Sequence, residues 1–175
     1  ANTYTGTNNS NALTNDGNSD LKPDFIWIKR RDYDNGHQLL DSTRGVDKIL
    51  GSELTSDETT LANRLSSFDT DGFTVESSSG AFNASGEPFV AWQWKANGGT
   101  TTSVSASGTG SGCVNACTHQ ANTTAGFSII TYTGRDDQLN NGQHSLLKHG
   151  LGVVPTFIIL KRRDATADWY VMGKK

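Results

Sequence analysis

The chain has 175 residues, of which 19% are charged, and its formal net charge is −3. A chain without a basic excess lacks the surface that neutralises phosphates, which argues against a nucleic-acid partner. No apolar run approaches the roughly 20 residues that span a bilayer, which argues against a membrane span. The N-terminus has no basic-then-apolar leader, so we expect a chain that is soluble or has already lost a leader.

Short apolar segments between stretches of Gly, Ser, Thr and Asn predict an all-β chain. Three nearly apolar segments, rich in aromatic and β-branched residues, predict central strands with both faces covered at 24–30, 87–95 and 156–162. Weaker strands are expected at 3–5, 38–41, 72–76, 127–132 and 169–172.

Turn formers that tolerate positive φ separate these strands at Asn15-Asp16-Gly17, Asp34-Asn35-Gly36, Asp71-Gly72 and Asn140-Asn141-Gly142. At most one short helix is expected, over 57–65, where Ser56 or Asp57 would cap and Leu61 and Leu65 would share a face.

One segment occurs twice. The segment Lys22 to Asp32 is repeated as Val154 to Asp164. A Tyr-Thr-Gly motif precedes each copy, beginning at Tyr4 before the first and at Tyr132 before the second. The duplication predicts equivalent core strands in two similar units, the second of them incomplete. Repetition of one unit is how elongated arrays are built, which suits scaffolding and adhesion. We expect self-association into an oligomer or filament, because an incomplete second unit leaves Phe157 to Leu160 in need of cover.

We therefore divide the chain into a first all-β unit at 1–97, a Gly/Ser/Thr-rich joint at 98–125, and the opening strands of a second, similar unit at 126–175. A second interpretation of the joint is an edge strand paired with a neighbouring subunit. The joint holds Cys113 and Cys117, and with only His119 nearby a tetrahedral zinc site lacks a fourth ligand. We expect a local disulfide, and hence an oxidising location, with two free thiols as the alternative.

Four sequence motifs of the first unit resemble those of a repeat family of phage and marine-virus structural proteins, found in tail fibres and virion-surface proteins. They are Pro23 to Lys29, Gly36 to Gly45, Ser67 to Phe73 and Ala91 to Ala96. The resemblance covers the first unit almost wholly and the opening of the second, although Ala167-Asp168-Trp169 departs from the Gly-His word at Gly36. It implies a lectin-like or jelly-roll-like β-sandwich on a virus particle, and it carries over no catalytic residue.

Aromatic residues are the candidate glycan contacts, because a flat ring packs against the apolar face of a sugar. Alternation places Trp92 and Trp94 on one face with Val90, and this shared apolar face favours core over an exposed platform. Tyr33, Trp169 and Tyr170 lie at strand ends or turns and are better placed to meet a ligand.

Asp69 and Asp71 are weak candidates for calcium, because two carboxylates supply too few of the six to eight oxygens required, and a hairpin turn is favoured there. No other metal and no cofactor is predicted. Asn8, Asn83 and Asn122 begin triplets that match the acceptor pattern for N-linked glycans.

His37, Asp41 and Ser42 contain the residue types of a catalytic triad, but no nucleophile elbow accompanies them. We favour a structural role, with Asp41 paired to Arg44 and His37 donating a hydrogen bond. The expected function is a non-enzymatic structural module of a viral tail fibre or virion-surface appendage, extracellular or on the virion, attaching to a host glycan. The alternatives are a secreted lectin-like module and, ranked last, a polysaccharide depolymerase.

Overall fold

The computed structural model describes residues 1–76, 80–109, 111–134 and 144–174. The described residues form strands and no helix, which confirms the all-β prediction, and the turn expected at Asn140 to Gly142 lies outside these ranges. The strands are β1 Asn2–Thr5, β2 Asn11–Leu13, β3 Phe25–Arg30, β4 Gln38–Asp41, β5 Gly45–Leu50, β6 Thr59–Thr60, β7 Leu65–Asp69, β8 Gly72–Val75, β9 Pro88–Trp94, β10 Thr102–Val104, β11 Cys117–Asn122, β12 Phe127–Tyr132, β13 Phe157–Lys161 and β14 Trp169–Gly173.

Two antiparallel sheets enclose the main core, as a sandwich requires. One has the strand order β1-β9-β3-β4-β5-β6 and the other β2-β8-β7. Tyr4 lies between them, stacked on Phe89 at 5.1 Å between ring centroids and edge-on to Phe73 at 6.2 Å. Its hydroxyl donates to the Phe82 carbonyl at 2.6 Å, and burial raises the pKa of Tyr4. The buried hydrophobic residues of this core are Tyr4, Ile26, Ile28, Leu40, Ile49, Leu65, Phe73, Val75, Phe82, Phe89 and Ala91.

Strand β9 is antiparallel to both of its neighbours, β1 and β3. Phe89 and Ala91 are fully buried, so the residues between and after them face outward. Val90, Trp92 and Trp94 do share one face, as predicted, but Trp92 is 37% and Trp94 38% exposed. The prediction that these two tryptophans lie in the core was wrong, because Phe89 and Ala91, which point to the other side of the strand, fill the sandwich.

The helix expected over 57–65 is not formed. Strand β6 lies in this interval and pairs with β5, and the Leu61 amide donates to the Asp47 carbonyl at 2.9 Å. Leu61 is 38% exposed and Leu65 only 2%, so the two leucines share no face. Pairing with the sheet supplies the backbone hydrogen bonds that a helix would have supplied locally, and Leu65 gains core burial in β7.

Each copy of the duplicated segment supplies the first strand of a hairpin, and the two hairpins have the same register. In β3–β4, Phe25 lies opposite Asp41 and Trp27 opposite Leu39, while in β13–β14 the corresponding partners are Phe157 with Gly173 and Ile159 with Val171. The ion pair between Arg30 and Asp32, with Nε–Oδ1 at 2.8 Å, also recurs, between Arg162 and Asp164 at 2.7 Å. The backbone of the repeat is therefore the same in both copies.

The two hairpins differ in their surroundings. Strand β3 is central in its sheet, whereas β13 pairs only with β14 among the described residues. Phe157 is 62% exposed, and Ile158 is 37% exposed although its counterpart Ile26 is fully buried. The expectation that 156–162 is a central strand with both faces covered was wrong, because the described residues contain no counterpart of β9 for the second hairpin.

The second hairpin is held to the first unit at its turn. Glu58 accepts hydrogen bonds from Arg44 at 2.9 Å and from two nitrogens of Arg163 at 2.8 and 2.9 Å. Burial alone would raise the pKa of Glu58, but the hydrogen bonds from Arg163 and Arg44 outweigh it and leave that pKa below its usual value. Backbone bonds from Glu58 to Arg163 and from Ala167 to Thr55 complete the attachment.

Cys113 and Cys117 are both buried free thiols, so the predicted disulfide was wrong. The chain between them is extended, since Val114 bridges to Ser107 and Leu146 and the Asn115 amide donates to the Leu146 carbonyl. Four steps of extended backbone span roughly 13 Å, whereas bridged cysteines have Cα atoms about 4.4–6.8 Å apart. The oxidising location inferred from that disulfide loses its support.

The interval 98–125, predicted as a joint, contains β10 and β11, which form a sheet with β12. Gln120 of β11 is 1% exposed and reaches into the first unit. Its Nε2 donates to Ser42 Oγ and Thr43 Oγ1, each at 2.7 Å, and its Oε1 accepts from the amides of Asn97 and Gly99. The entropy cost of ordering this polar stretch is offset by strand pairing and by these hydrogen bonds. The proposed unit boundaries stay a prediction.

Asp24 lies at the centre of the same network and is fully buried. Its carboxylate accepts from Ser42 Oγ at 2.7 Å and from the amides of Ala96 and Gly98 at 2.7 and 2.8 Å. One carboxylate therefore fixes both the start of β3 and the chain that follows β9. No helix among the described residues is long and apolar enough to cross a membrane.

We expect Asp24→Ala to lower the free energy of unfolding by about 3–5 kcal/mol, because it leaves the buried Ala96 amide and the half-buried Gly98 amide without an acceptor. The exposed Asp20 provides a matched control, and Asp20→Ala is expected to change stability by less than about 0.5 kcal/mol. Urea denaturation followed by tryptophan fluorescence measures both. Equal stability of the two variants would show that the hydrogen bonds of Asp24 do not stabilise the segment that follows β9.

Candidate functional site

The outward residues of β3 and β9 form a continuous aromatic surface. We call it the outer aromatic face and define it as Phe25, Trp27, Trp92, Trp94 and Phe127. It follows from strand parity, because Phe25 lies opposite Trp94 and Trp27 opposite Trp92, while Ile26, Ile28, Phe89 and Ala91 face the core. Phe127 comes from β12 and adds a ring from the second half of the chain.

Three rings form one end of this face. Phe25 and Trp94 have centroids 5.4 Å apart, and Phe127 lies 6.2 Å from Phe25 and 6.3 Å from Trp94. Trp94 and Phe127 are stacked, with planes 24° apart. Such contacts hold the rings in place without burying them, since Trp94 stays 38% exposed. The indole therefore presents a fixed, flat, apolar surface to solvent.

The other end of the face is polar at its rim. Trp27 packs edge-on against Trp92 at 6.0 Å, and its Nε1 donates to His37 Nδ1 at 2.7 Å. His37 thus accepts a side-chain hydrogen bond where we expected it to donate one. Its backbone amide donates to both carboxylate oxygens of Glu53 at 3.1 Å. This arrangement orients Trp27 and places a carboxylate close to the rings.

A shallow depression of about 520 Å³, open to solvent, adjoins the end of the face that carries Trp94. Asn122 lies on its wall and is the ladder partner of Phe127, whose ring contacts Trp94. The lining is mostly polar and consists of Lys95, Ala96, Asn97, Gly98, Ala121, Asn122 and Thr123. Aromatic rings beside amide and hydroxyl groups are suited to binding a saccharide. The rings can pack against the apolar face of a sugar, and the polar groups can form hydrogen bonds with its hydroxyls.

The other aromatic candidates lie elsewhere. Tyr33 is 62% exposed and sits under the Arg30 guanidinium at 5.0 Å. Trp169 donates from Nε1 to the carbonyls of Gly51 and Leu54 at 3.1 and 2.9 Å, which ties it to the first unit. Tyr170 is 65% exposed on β14. No described ring contact joins Tyr33, Trp169 or Tyr170 to the outer aromatic face.

Asp69 and Asp71 lie at the β7–β8 turn, where Gly72 has φ of 107°. Asp69 accepts from Ser67 Oγ at 2.5 Å and Thr74 Oγ1 at 2.7 Å, and Asp71 accepts from the Leu21 amide at 3.1 Å. These oxygens are engaged in holding the turn. Across the described ranges, no group of three or more His, Cys, Asp or Glu residues is arranged to hold a metal ion.

The three candidate glycan acceptors are not equivalent. Asn83 is fully buried, and its Nδ2 donates to the carbonyls of Asn9 and Glu76, so it is inaccessible to modification in the folded chain. Asn8 adopts φ of 61° and accepts from the Ser85 amide. Asn122 accepts from the amides of Thr124 and Ala125.

His37, Asp41 and Ser42 are not joined to one another by hydrogen bonds. Asp41 pairs with Arg44, as we predicted, and Ser42 Oγ donates to Asp24. His37 is engaged with Trp27. Each group has its own structural partner, and the geometry of a catalytic triad is not formed.

The comparison with protein families gives one match over the full length. A family described as a domain of unknown function (DUF7483) covers residues 1–175. The chain belongs to this family. No curated protein and no solved structure matches the chain. Membership of this family assigns no activity to the chain.

Sequence reasoning missed Phe25, Trp27 and Phe127 as members of the face. The signal was present in the ladder between 24–30 and 87–95, because pairing of the two strands puts their tryptophans on the same side. The parity of each strand is visible in the sequence, but which parity faces the core is decided by β1, β4 and the second sheet.

We expect Phe89→Ala to cost about 3–5 kcal/mol of unfolding free energy, because it empties a fully buried site between the sheets. Trp92→Ala in the same strand is expected to cost only about 1–2 kcal/mol, since more of its ring is in solvent. Chemical denaturation of both variants tests this. A larger loss for Trp92→Ala than for Phe89→Ala would mean that the tryptophans, not Phe89 and Ala91, fill the core.

Proposed function

We propose that this chain is a non-enzymatic structural module of a viral tail fibre or virion-surface appendage, with a role in attachment to the host. The observation that carries the proposal is the duplicated hairpin with identical register in both copies. A duplicated supersecondary unit is the building principle of extended arrays, and display at a particle surface is a use for such arrays. The resemblance of the first unit to virion-surface repeats supports the same assignment.

The outer aromatic face is the attachment surface in this proposal. Trp92 and Trp94 are exposed yet held by neighbouring rings, so little conformational entropy is lost when a ligand binds. The depression beside Trp94 is lined by Asn97 and Thr123, which carry hydrogen-bonding groups, while Asn122 is already bonded to Lys95, Thr124 and Ala125. A cell-surface saccharide fits this combination, with one pyranose on the rings and its hydroxyls over the depression.

A secreted lectin-like module that acts alone on carbohydrate is the second candidate. The same exposed tryptophans favour it, because carbohydrate binding by a single site needs no array. The two functions differ in valency: a module of an array binds weakly as one chain and gains affinity when many copies act together, whereas a lectin acting alone needs saturable binding by the monomer.

A glycan array probed with the monomeric chain and with the chain displayed densely on beads tests the proposal. We expect binding by the beads at least about 100-fold tighter than by the monomer, and at least about tenfold weaker binding after Trp94→Ala. Tyr170→Ala, at an exposed ring outside the face, serves as the control and should leave binding unchanged.

Saturable binding of equal strength by monomer and beads would favour the lectin. Release of sugar from a surface polysaccharide would contradict a non-enzymatic module. Loss of binding in Tyr170→Ala but not in Trp94→Ala would move the attachment surface to the second hairpin.

A further inference from the structure

The outer aromatic face continues along β9 beyond its tryptophans. Phe89 and Ala91 are fully buried, so the residues that alternate with them share the outward side of the strand. These outward residues are Pro88, Val90, Trp92 and Trp94. Successive outward residues lie about 6–7 Å apart along a strand, so the row spans roughly 20 Å. The apolar row is therefore longer than one pyranose ring can cover.

Strand β1 lines one side of this row with hydroxyl groups. In the β1–β9 ladder, Thr3 lies opposite Val90 and Thr5 opposite Pro88. Because Tyr4 between them is buried in the core, both threonines face outward, and both are exposed. Strand β1 is also the edge of its sheet, so no further strand of the described ranges pairs beyond them. We call the outer strip the set Thr3, Thr5, Pro88, Val90, Trp92 and Trp94.

The charged residue that borders the outer strip on β3 already has partners. Lys29 lies opposite Val90. Its ammonium donates to the carbonyls of Arg30 at 2.7 Å and Tyr33 at 2.8 Å. The outer strip itself contains no charged residue. A ligand that lies along it would therefore be held by apolar contact and by hydrogen bonds to hydroxyl groups.

These features fit a ligand that is long, apolar on one face and rich in hydroxyls along its edges. A linear polysaccharide has this form, because every pyranose in the chain repeats an apolar face and a polar edge. A ligand bound through its terminal sugar alone would use one ring position and would leave Val90, Thr3 and Thr5 without contact. A nucleic acid would need basic groups to neutralise its phosphates, and the outer strip has none.

We propose that the outer strip binds a linear polysaccharide along its length, with successive pyranose rings on Trp94, Trp92 and Val90 and hydroxyls bonded to Thr3 and Thr5. The inference rests on the proposed function, because it takes a saccharide as the ligand of the outer aromatic face. It deepens that function by naming the class of saccharide. It also adds binding residues from β1, a strand that contributes no ring to the face.

Linear oligosaccharides of increasing length test the proposal. Series of glucose, mannose, galactose and N-acetylglucosamine, from the monosaccharide to the hexasaccharide, are titrated into the full chain with tryptophan fluorescence as the readout. We expect at least one series to bind, with an affinity that rises by at least about tenfold from the disaccharide to the tetrasaccharide. Methylation of both chain ends should change this affinity by less than about twofold, because the chain is bound along its length.

The combined variant Thr3→Val, Thr5→Val removes both hydroxyls and keeps a β-branched side chain at each position. We expect it to bind the tetrasaccharide at least about fivefold more weakly, because two hydrogen bonds are lost. The disaccharide, which occupies Trp94 and Trp92, should bind with less than about a twofold change. Thr59→Val is the matched control, at an exposed threonine on β6 at the opposite edge of the same sheet, and should change neither affinity. Circular dichroism checks the fold of each variant.

An affinity that stops rising at the disaccharide overturns the proposal. Tetrasaccharide binding that is unchanged in the threonine variant, or that weakens no more than disaccharide binding, overturns it as well. Loss of binding after methylation of the chain ends would show recognition of a terminal sugar, which refutes the proposal and leaves the attachment role intact. Binding of branched glycans on the array without binding of any linear series has the same meaning. Absence of all saccharide binding refutes both the polysaccharide and the attachment role.

Discussion

Pairing of β9 with β1 on one side and β3 on the other is the constraint on which the first unit depends. It brings β1, at the N-terminus, and β9, which ends at Trp94, into one sheet, although the two strands are distant in sequence. Its parity then separates two surfaces: Phe89 and Ala91 fill the sandwich, and Trp92 and Trp94 face outward beside Phe25 and Trp27. The core and the candidate site are therefore two faces of one ladder, and a change of register by one residue would exchange them.

The second hairpin shows the same backbone without that central strand. The β13–β14 pair has the register of β3–β4, although only the first strand of each hairpin lies within the repeated segment. Burial of its apolar residues is not local, since in the first unit it is supplied by the opposite sheet of the sandwich. Attachment through Glu58 and Arg163 holds the turn of the hairpin against the first unit but covers neither of its faces.

Much of the strand content could be predicted from the sequence, because apolar segments bounded by turn formers coincide with β3, β4, β8, β9, β12, β13 and β14. The errors share a cause. The choice of face for Trp92, the pairing of Thr59 and Thr60 with β5, and the exposure of Ile158 all depend on which strands become neighbours. The disulfide failed for a similar reason, because Val114 bridges to Leu146 and keeps the chain between the cysteines extended. Phe127 joined the outer aromatic face through β11, whose Thr- and Asn-containing sequence gives no apolar signal.

Amide hydrogen exchange resolved by residue tests most directly the claim that β3 is paired on both edges, whereas β13 is paired only with β14 among the described residues. We expect strong protection for the amides of Phe25, Trp27 and Lys29, which pair with β9, and little protection for their counterparts Phe157, Ile159 and Lys161. Ile158 and Leu160, which bond to β14, are the internal reference and should be protected. Protection of Phe157, Ile159 and Lys161 equal to that of Ile158 and Leu160 would contradict the account, because it would mean that the edge is already paired.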